Sequence, residues 1–146
     1  YNDIAVVRMS SPIQFNNVTD KIEMGRETLL PGDVLTLTGW GSTELYEPPP
    51  EDLYKLDLML VSREECLEAW SHDEGIDVGH ICTLTKRGEG ACSGDSGGPL
   101  VAKGKLVGLV NWGRPCAEGF PDMHASVVFY RDFINRAINQ CNILKN

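Results

Sequence analysis

The chemistry of this chain is concentrated in Ala91-Cys92-Ser93-Gly94-Asp95-Ser96-Gly97-Gly98-Pro99-Leu100. A cysteine anchors the stretch and a strand follows it. Gly94, Gly97 and Gly98 carry no Cβ, so backbone N–H groups can approach a ligand closely there. A serine in such a loop is either a nucleophile over an anion-stabilising nest or part of a tight turn. For a bare Gly-x-Ser-Gly pattern the turn is the simpler reading. No Cys-x-x-Cys pair exists, and no histidine lies at ligand spacing from a cysteine pair, so neither a metal nor another cofactor is expected.

The elements that must position this loop are mostly short strands. Val34-Leu35-Thr36-Leu37-Thr38 is rich in β-branched residues and ends at Gly39-Trp40-Gly41. Leu56 to Val61 and Lys105 to Val110 read as two more, and Ile4-Ala5-Val6-Val7 as another at the start. Between them Glu47-Pro48-Pro49-Pro50-Glu51-Asp52 must be an exposed loop, because proline cannot donate to a ladder. Residues 12–33 are irregular, as a linker lying across a surface would be. Ser62-Arg63-Glu64-Glu65 is a capping box opening a short helix whose apolar face is Cys66, Ala69 and Trp70. Phe129, Phe133, Ile134, Ala137, Ile138 and Cys141 keep to one face and predict a terminal amphipathic helix.

With 146 residues, 42% hydrophobic and 23% charged, the chain has the composition of a globular domain with its own core. The net charge of −8 argues against nucleic acid, which needs a basic surface. Leu106 to Trp112 is the longest apolar candidate and is too short and broken for a membrane span. Five cysteines are present. Cys66, Cys82, Cys92 and Cys116 allow three pairings. Cys141 is left over, either free or awaiting a partner elsewhere. A secreted, disulfide-bonded protein is expected, and the sequon Asn17-Val18-Thr19 makes Asn17 a candidate glycosylation site. The chain begins at Tyr1 with no leader, which reads as a processed or upstream-truncated chain.

The Gly94-Asp95-Ser96-Gly97-Gly98-Pro99 loop resembles the nucleophile loop of the chymotrypsin-like serine proteases of the trypsin/chymotrypsin superfamily. Asn2-Asp3-Ile4-Ala5-Val6-Val7 resembles that family's catalytic-aspartate segment, and Thr38-Gly39-Trp40-Gly41 its strand after the interbarrel linker. Asn111-Trp112-Gly113 with Cys116 resembles the wall of its specificity pocket. The likeness runs in order from Tyr1 to about Asn139. It implies an all-β, trypsin-like double β-barrel, of which this chain holds the second barrel, the end of the first and a C-terminal α-helix. Residues 1–11 would end the first barrel, 12–33 form the linker, 34–128 the second barrel and 129–141 the helix. Cys66–Cys82 and Cys92–Cys116 are the implied disulfides. The implied roles are Ser96 as nucleophile, Asp3 orienting a histidine, and the amides of Gly94 and Ser96 as oxyanion hole. Asp95 would bind the amino terminus released on zymogen cleavage, and Trp112 and Gly113 would pair with an extended substrate backbone.

The departures are informative. The family's histidine precedes its aspartate, and no histidine precedes Asp3 here. His72 lies in a polar loop and reads as solvated. His80 reads as a packed neighbour of the Cys66–Cys82 bond, and His124 belongs to the pocket. Such a domain runs roughly 200–250 residues, so about 50–100 are expected upstream, and the chain alone is expected to be inactive. Gly90, with Ala91 and Ser93 beside it, gives the primary pocket a neutral base suited to apolar side chains. Asp122 stands where most members have glycine, a combination similar to insect chymotrypsins and crab collagenase, in which preference is broadened. His124, two residues on in an extended strand, faces the same side, and is expected either to fill aromatic space or to form a pH-sensitive pair with Asp122. In the resembled family a serine usually stands at Asn111 and contacts the aspartate, so the larger amide of Asn111 is expected to disturb the way Asp3 is held. The implied partners are protein or peptide substrates and protein inhibitors. The reading from another class is a non-catalytic homologue that binds a protein through the pocket, and a third is a truncated product that does not fold stably.

Overall fold

The computed structural model describes residues 2–71 and 75–143, with side chains up to residue 140. His72 and the side chain of Cys141 lie outside the described residues. The elements in chain order are β1 (Val34–Gly39), β2 (Tyr54–Val61), α1 (Arg63–Ala69), β3 (His80–Thr83), β4 (Pro99–Ala102), β5 (Lys105–Trp112), β6 (Asp122–Ser126) and α2 (Val127–Ile143).

The strands close into an antiparallel barrel in the order β1-β2-β3-β6-β5-β4, with β4 returning to β1. Alternation drives the closure. Leu35 and Leu37 of β1 and Leu58 and Leu60 of β2 point inward, where Leu100, Val107 and Val110 meet them. Each fully buried leucine contributes about 1.5–3 kcal/mol of transfer free energy. β6 is buried along its whole length, having the barrel on one side and α1 and its loop on the other. A second cluster lies there: Cys66, Ile76, Cys82 and Met123, covered by Trp70 and Trp112. The Cys66–Cys82 disulfide ties α1 to β3. It closes a loop of about 15 residues, worth roughly 3 kcal/mol in the chain-entropy picture.

The Ser62 capping box is formed, its side chain accepting from Glu65 N while Glu65 Oε2 accepts from Ser62 N at 2.9 Å. The terminal helix starts at Val127, before the first residue of the apolar stripe, because β6 runs straight into it. Residues 12–33 form no strand, but the linker's end is pinned to β5: Gly25 N donates to Leu106 O at 2.8 Å and Leu106 N to Glu23 O at 2.9 Å.

One expected strand is not formed. Ile4-Ala5-Val6-Val7 pairs with no described residue, and Val7 is 79% exposed. A strand exists only as one side of a ladder, and local β propensity without a partner does not make one.

Candidate active site

The Ser96 loop lies between β3 and β4 and is fixed at several points. The Cys92–Cys116 disulfide joins it to the loop after β5. Ser42 N donates to Ser93 O at 2.8 Å, and Gly98 N to Asp95 O at 2.8 Å. The Asp95 carboxylate accepts from Gly41 N and Cys92 N, both at 3.0 Å. A Cβ on Gly39 or Gly41 would collide with that carboxylate, so the Gly-Trp-Gly turn is built to let Asp95 in. Gly94 has φ +101°, and a Cβ there would lie 3.2 Å from Gly41 Cα. Among the described residues, nothing accepts from the N–H groups of Gly94 and Ser96. Both residues are exposed, so two free donors stand beside the exposed Ser96 hydroxyl.

Ser96 opens onto a cleft of about 290 Å³ shared by Ala91, Ser93, Asn111, Trp112, Gly113 and Asp122. Asp122 is 5% exposed. Its Oδ2 accepts from Ala91 N at 2.8 Å. Burial pushes its carboxyl pKa up to about 6; the Ala91 N–H opposes this and the Asp95 charge adds to it. A Cβ on Gly90 would lie 2.6 Å from Asp122 Oδ2, and one on Gly113 2.5 Å from Oδ1. The carboxylate therefore occupies space that side chains at both positions would need. Gly90 itself lines a separate cavity of about 240 Å³ beside Asp95, and His124 lines neither.

His124 does not pair with Asp122. It is fully buried, and its Nε2 lies 2.8 Å from Thr83 Oγ1 while Nδ1 has no partner. Thr83 sits opposite Asp122 in the ladder, which puts it diagonal to His124 and within ring reach. Burial, reinforced by nearby His80, pushes the His124 pKa down to about 3, so the ring is neutral. An unpaired acceptor costs less than an unpaired donor, which puts the hydrogen on Nε2.

His80 is engaged more closely than a packed neighbour of a disulfide. Its Nδ1 lies 3.0 Å from Asp77 Oδ1, and its Nε2 is 3.1 Å from Asn111 Nδ2. The Asp77 backbone N–H also lies 3.2 Å from Nδ1, so both Asp77 groups face one ring nitrogen and the Asn111 amide the other. Burial lowers its pKa, with Asp77 pulling the other way. Asn111 is therefore held by His80, not by Asp3. Asp3 is exposed and forms no hydrogen bond among the described residues. The structure assembles Ser96, Gly94, Asp95 and the cleft, while next to Asp3 the Asn2 Oδ1 accepts from Tyr130 Oη at 3.1 Å. Asn17 sits exposed within the Asn16–Thr19 turn.

One group escaped the sequence reading. Arg114 follows Trp112-Gly113 and lays its guanidinium 3.7 Å from the Phe120 ring centroid and 5.7 Å from that of Trp70. Nothing in the sequence spacing announces that stack.

A closed barrel ending in a helix, with an exposed serine beside free amides, defines a trypsin-like fold. Residues 1–134 match the Trypsin family. The chain is 39% identical over 137 residues to Chymotrypsin-2 of Vespa crabro, covering 92% of this chain and 61% of that protein. It is 36% identical over 140 residues to Trypsin alpha-3 of Lucilia cuprina, covering 94% of this chain and 84% of that one. Among solved structures, neuropsin, a serine protease expressed in the limbic system of mouse brain, superposes with a TM-score of 0.79 at 24% identity. That match covers 86% of this chain and 56% of neuropsin. The chain belongs to the trypsin family. It spans 61% of the Vespa crabro protein and 52% of Trypsin eta of Drosophila melanogaster.

Proposed function

We propose that this chain is part of a secreted serine endopeptidase that hydrolyses peptide bonds through an acyl-enzyme on Ser96. The observation that carries the reading is the exposed Ser96 hydroxyl beside the unbonded amides of Gly94 and Ser96. A histidine from sequence ahead of Asp3, oriented by Asp3, takes the proton of Ser96 Oγ as it attacks the scissile carbonyl. The two N–H groups hold the oxygen as its charge develops. The histidine then protonates the leaving amine, and water releases the acyl group by the same path. Without that histidine the chain is inactive, since base and nucleophile act as a unit.

The substrate lies along β5. β4 leaves β5 at Pro99–Leu109, and beyond Val110 that edge has no strand partner among the described residues. Trp112 and Gly113 there accept an extended peptide as an added strand. Its side chain before the scissile bond enters the cleft above Asp122. A protonated Asp122 suits an apolar side chain and an ionised one suits Lys or Arg, which gives a chymotrypsin-like or broadened preference. Asp95, with the adjoining cavity, receives the amino terminus freed by zymogen cleavage. Exposed Val7, Met9, Ile13 and Phe15 pack against the rest of the first barrel.

A second reading, a non-catalytic homologue that binds a protein through the cleft, draws on the absence of any bond to Asp3 among the described residues and on Asn111 being held by His80. A fluorophosphonate serine probe separates the two. The protease reading expects labelling of Ser96 in the protein extended upstream to include its histidine, and none after Ser96→Ala. Absence of labelling in the extended protein would favour the binding reading.

A further inference from the structure

Arg114 stands out by its surroundings. The chain carries 21 acidic residues against 13 Lys and Arg. Yet no carboxylate pairs with this guanidinium among the described residues. It is held by aromatic rings instead, 3.7 Å over Phe120 and 5.7 Å from Trp70. That platform is itself fixed. Trp70 Nε1 donates to Pro121 O at 3.0 Å, and the Trp70 ring meets Trp112 edge-on with centroids 5.1 Å apart. Stacking occupies the face of a guanidinium and leaves its N–H edge free to donate. Arg114 is exposed, and it also lines the cleft that contains Ser96.

From these observations we infer that Arg114 is a specificity-determining residue that selects substrates carrying an acidic side chain on the amino-terminal side of the scissile bond. The inference rests on the proposed peptidase reading and adds a second subsite to it. A peptide that reacts at Ser96 and runs antiparallel along Asn111, Trp112 and Gly113 reaches Arg114 with its residue about three or four before the bond. Glu or Asp there meets a fork already oriented by Phe120 and Trp70, so little side-chain entropy is lost on pairing. The cleft thus holds charges of opposite sign at its two ends, Asp122 at the floor and Arg114 at the rim.

The test uses the upstream-extended, histidine-containing protein and two peptide series that differ only by Glu or Gln at those positions. The expected kcat/KM ratio of Glu to Gln peptides is about fivefold, as for a partly exposed charge-assisted pair. Arg114→Gln should bring it to about one, Arg114→Glu should invert it, and Arg114→Lys should retain part of it. A ratio near one in the unaltered protein overturns the inference without recourse to any variant, and a ratio that survives Arg114→Gln does the same. Fluorophosphonate labelling of Ser96 is run on the same sample. Labelling with a flat ratio removes the subsite and leaves the peptidase reading standing; no labelling removes both.

Discussion

Asp95 and Asp3 show how differently the two halves of the site are built. Asp95 is enclosed by Gly39 and Gly41, accepts two backbone hydrogen bonds, and sits in a loop closed by a disulfide. Asp3 is exposed, makes no hydrogen bond among the described residues and lies on a segment that forms no strand there, tied at Asn2 Oδ1 to Tyr130 Oη at 3.1 Å. Two carboxylates close in chemistry have opposite surroundings because one belongs to a closed barrel and the other to a segment without a ladder partner. The lesson is that the Ser96 loop and its cleft are held by the closed barrel, whereas the segment of Asp3 has no ladder partner among the described residues.

Substitutions that attack each half should therefore differ sharply. Leu58 is 1% exposed in the barrel core. Leu58→Ala should cost about 2–5 kcal/mol of stability by denaturant unfolding, the range for cavity-forming core truncations. Val7→Ala, at a side chain 79% exposed, should stay within about 0.5 kcal/mol. Equal losses at the two sites would break the contrast.

The next effect is pH-dependent and belongs to the barrel half alone. The Asp122 pKa is raised from 3.8 to about 6, so the folded chain keeps a proton that the unfolded chain has already released. The stability this supplies is full below about 3.8 and is lost as pH rises through about 6. Asp122→Asn should remove that loss, with a relative gain above pH 6 on the order of 3 kcal/mol at most. Parallel stability–pH curves for the two proteins would contradict it. Gly90→Ala should follow in size, at about 1–3 kcal/mol, because its Cβ meets Asp122 Oδ2 at 2.6 Å. Adding Asp122→Gly should recover most of that loss, and a double variant no better than the single would show that the carboxylate is not the obstacle.

Legibility in the sequence followed the same division. β1 and β2 showed themselves because each has one face in the core and one outside, which writes alternation into the residues. The capping box announced α1. β6, buried on every residue, has no alternation to read, and β3 and β4 are four residues each. Ile4 to Val7 has strand composition, but pairing is decided elsewhere in the molecule. For the site, the Ser96 loop was legible as a motif, and Asp122 as an unusual acid. The partners were not. The two-residue period correctly puts Asp122 and His124 on one side of β6, yet the Ser96 loop brings Ala91 N to the first and ladder register brings Thr83 to the second. Spacing within one strand cannot report which neighbour across the sheet is nearer. Gly90 read as a neutral pocket base, whereas its lack of a Cβ also makes room for Asp122.

Amide hydrogen exchange on this 146-residue chain tests the central contrast most directly. The N–H groups of Gly41 and Cys92, which donate to Asp95, and that of Gly97, which donates to Val110 O at 2.8 Å, should be protected nearly as well as the strands of the barrel. Residues 5–9, which carry no such bonds, should exchange at close to unfolded rates. Protection of residues 5–9 equal to that of the Asp95 donors, or loss of protection at those donors while the barrel strands stay protected, would contradict the claim that the closed barrel holds the Ser96 loop while the segment of Asp3 lacks a ladder partner.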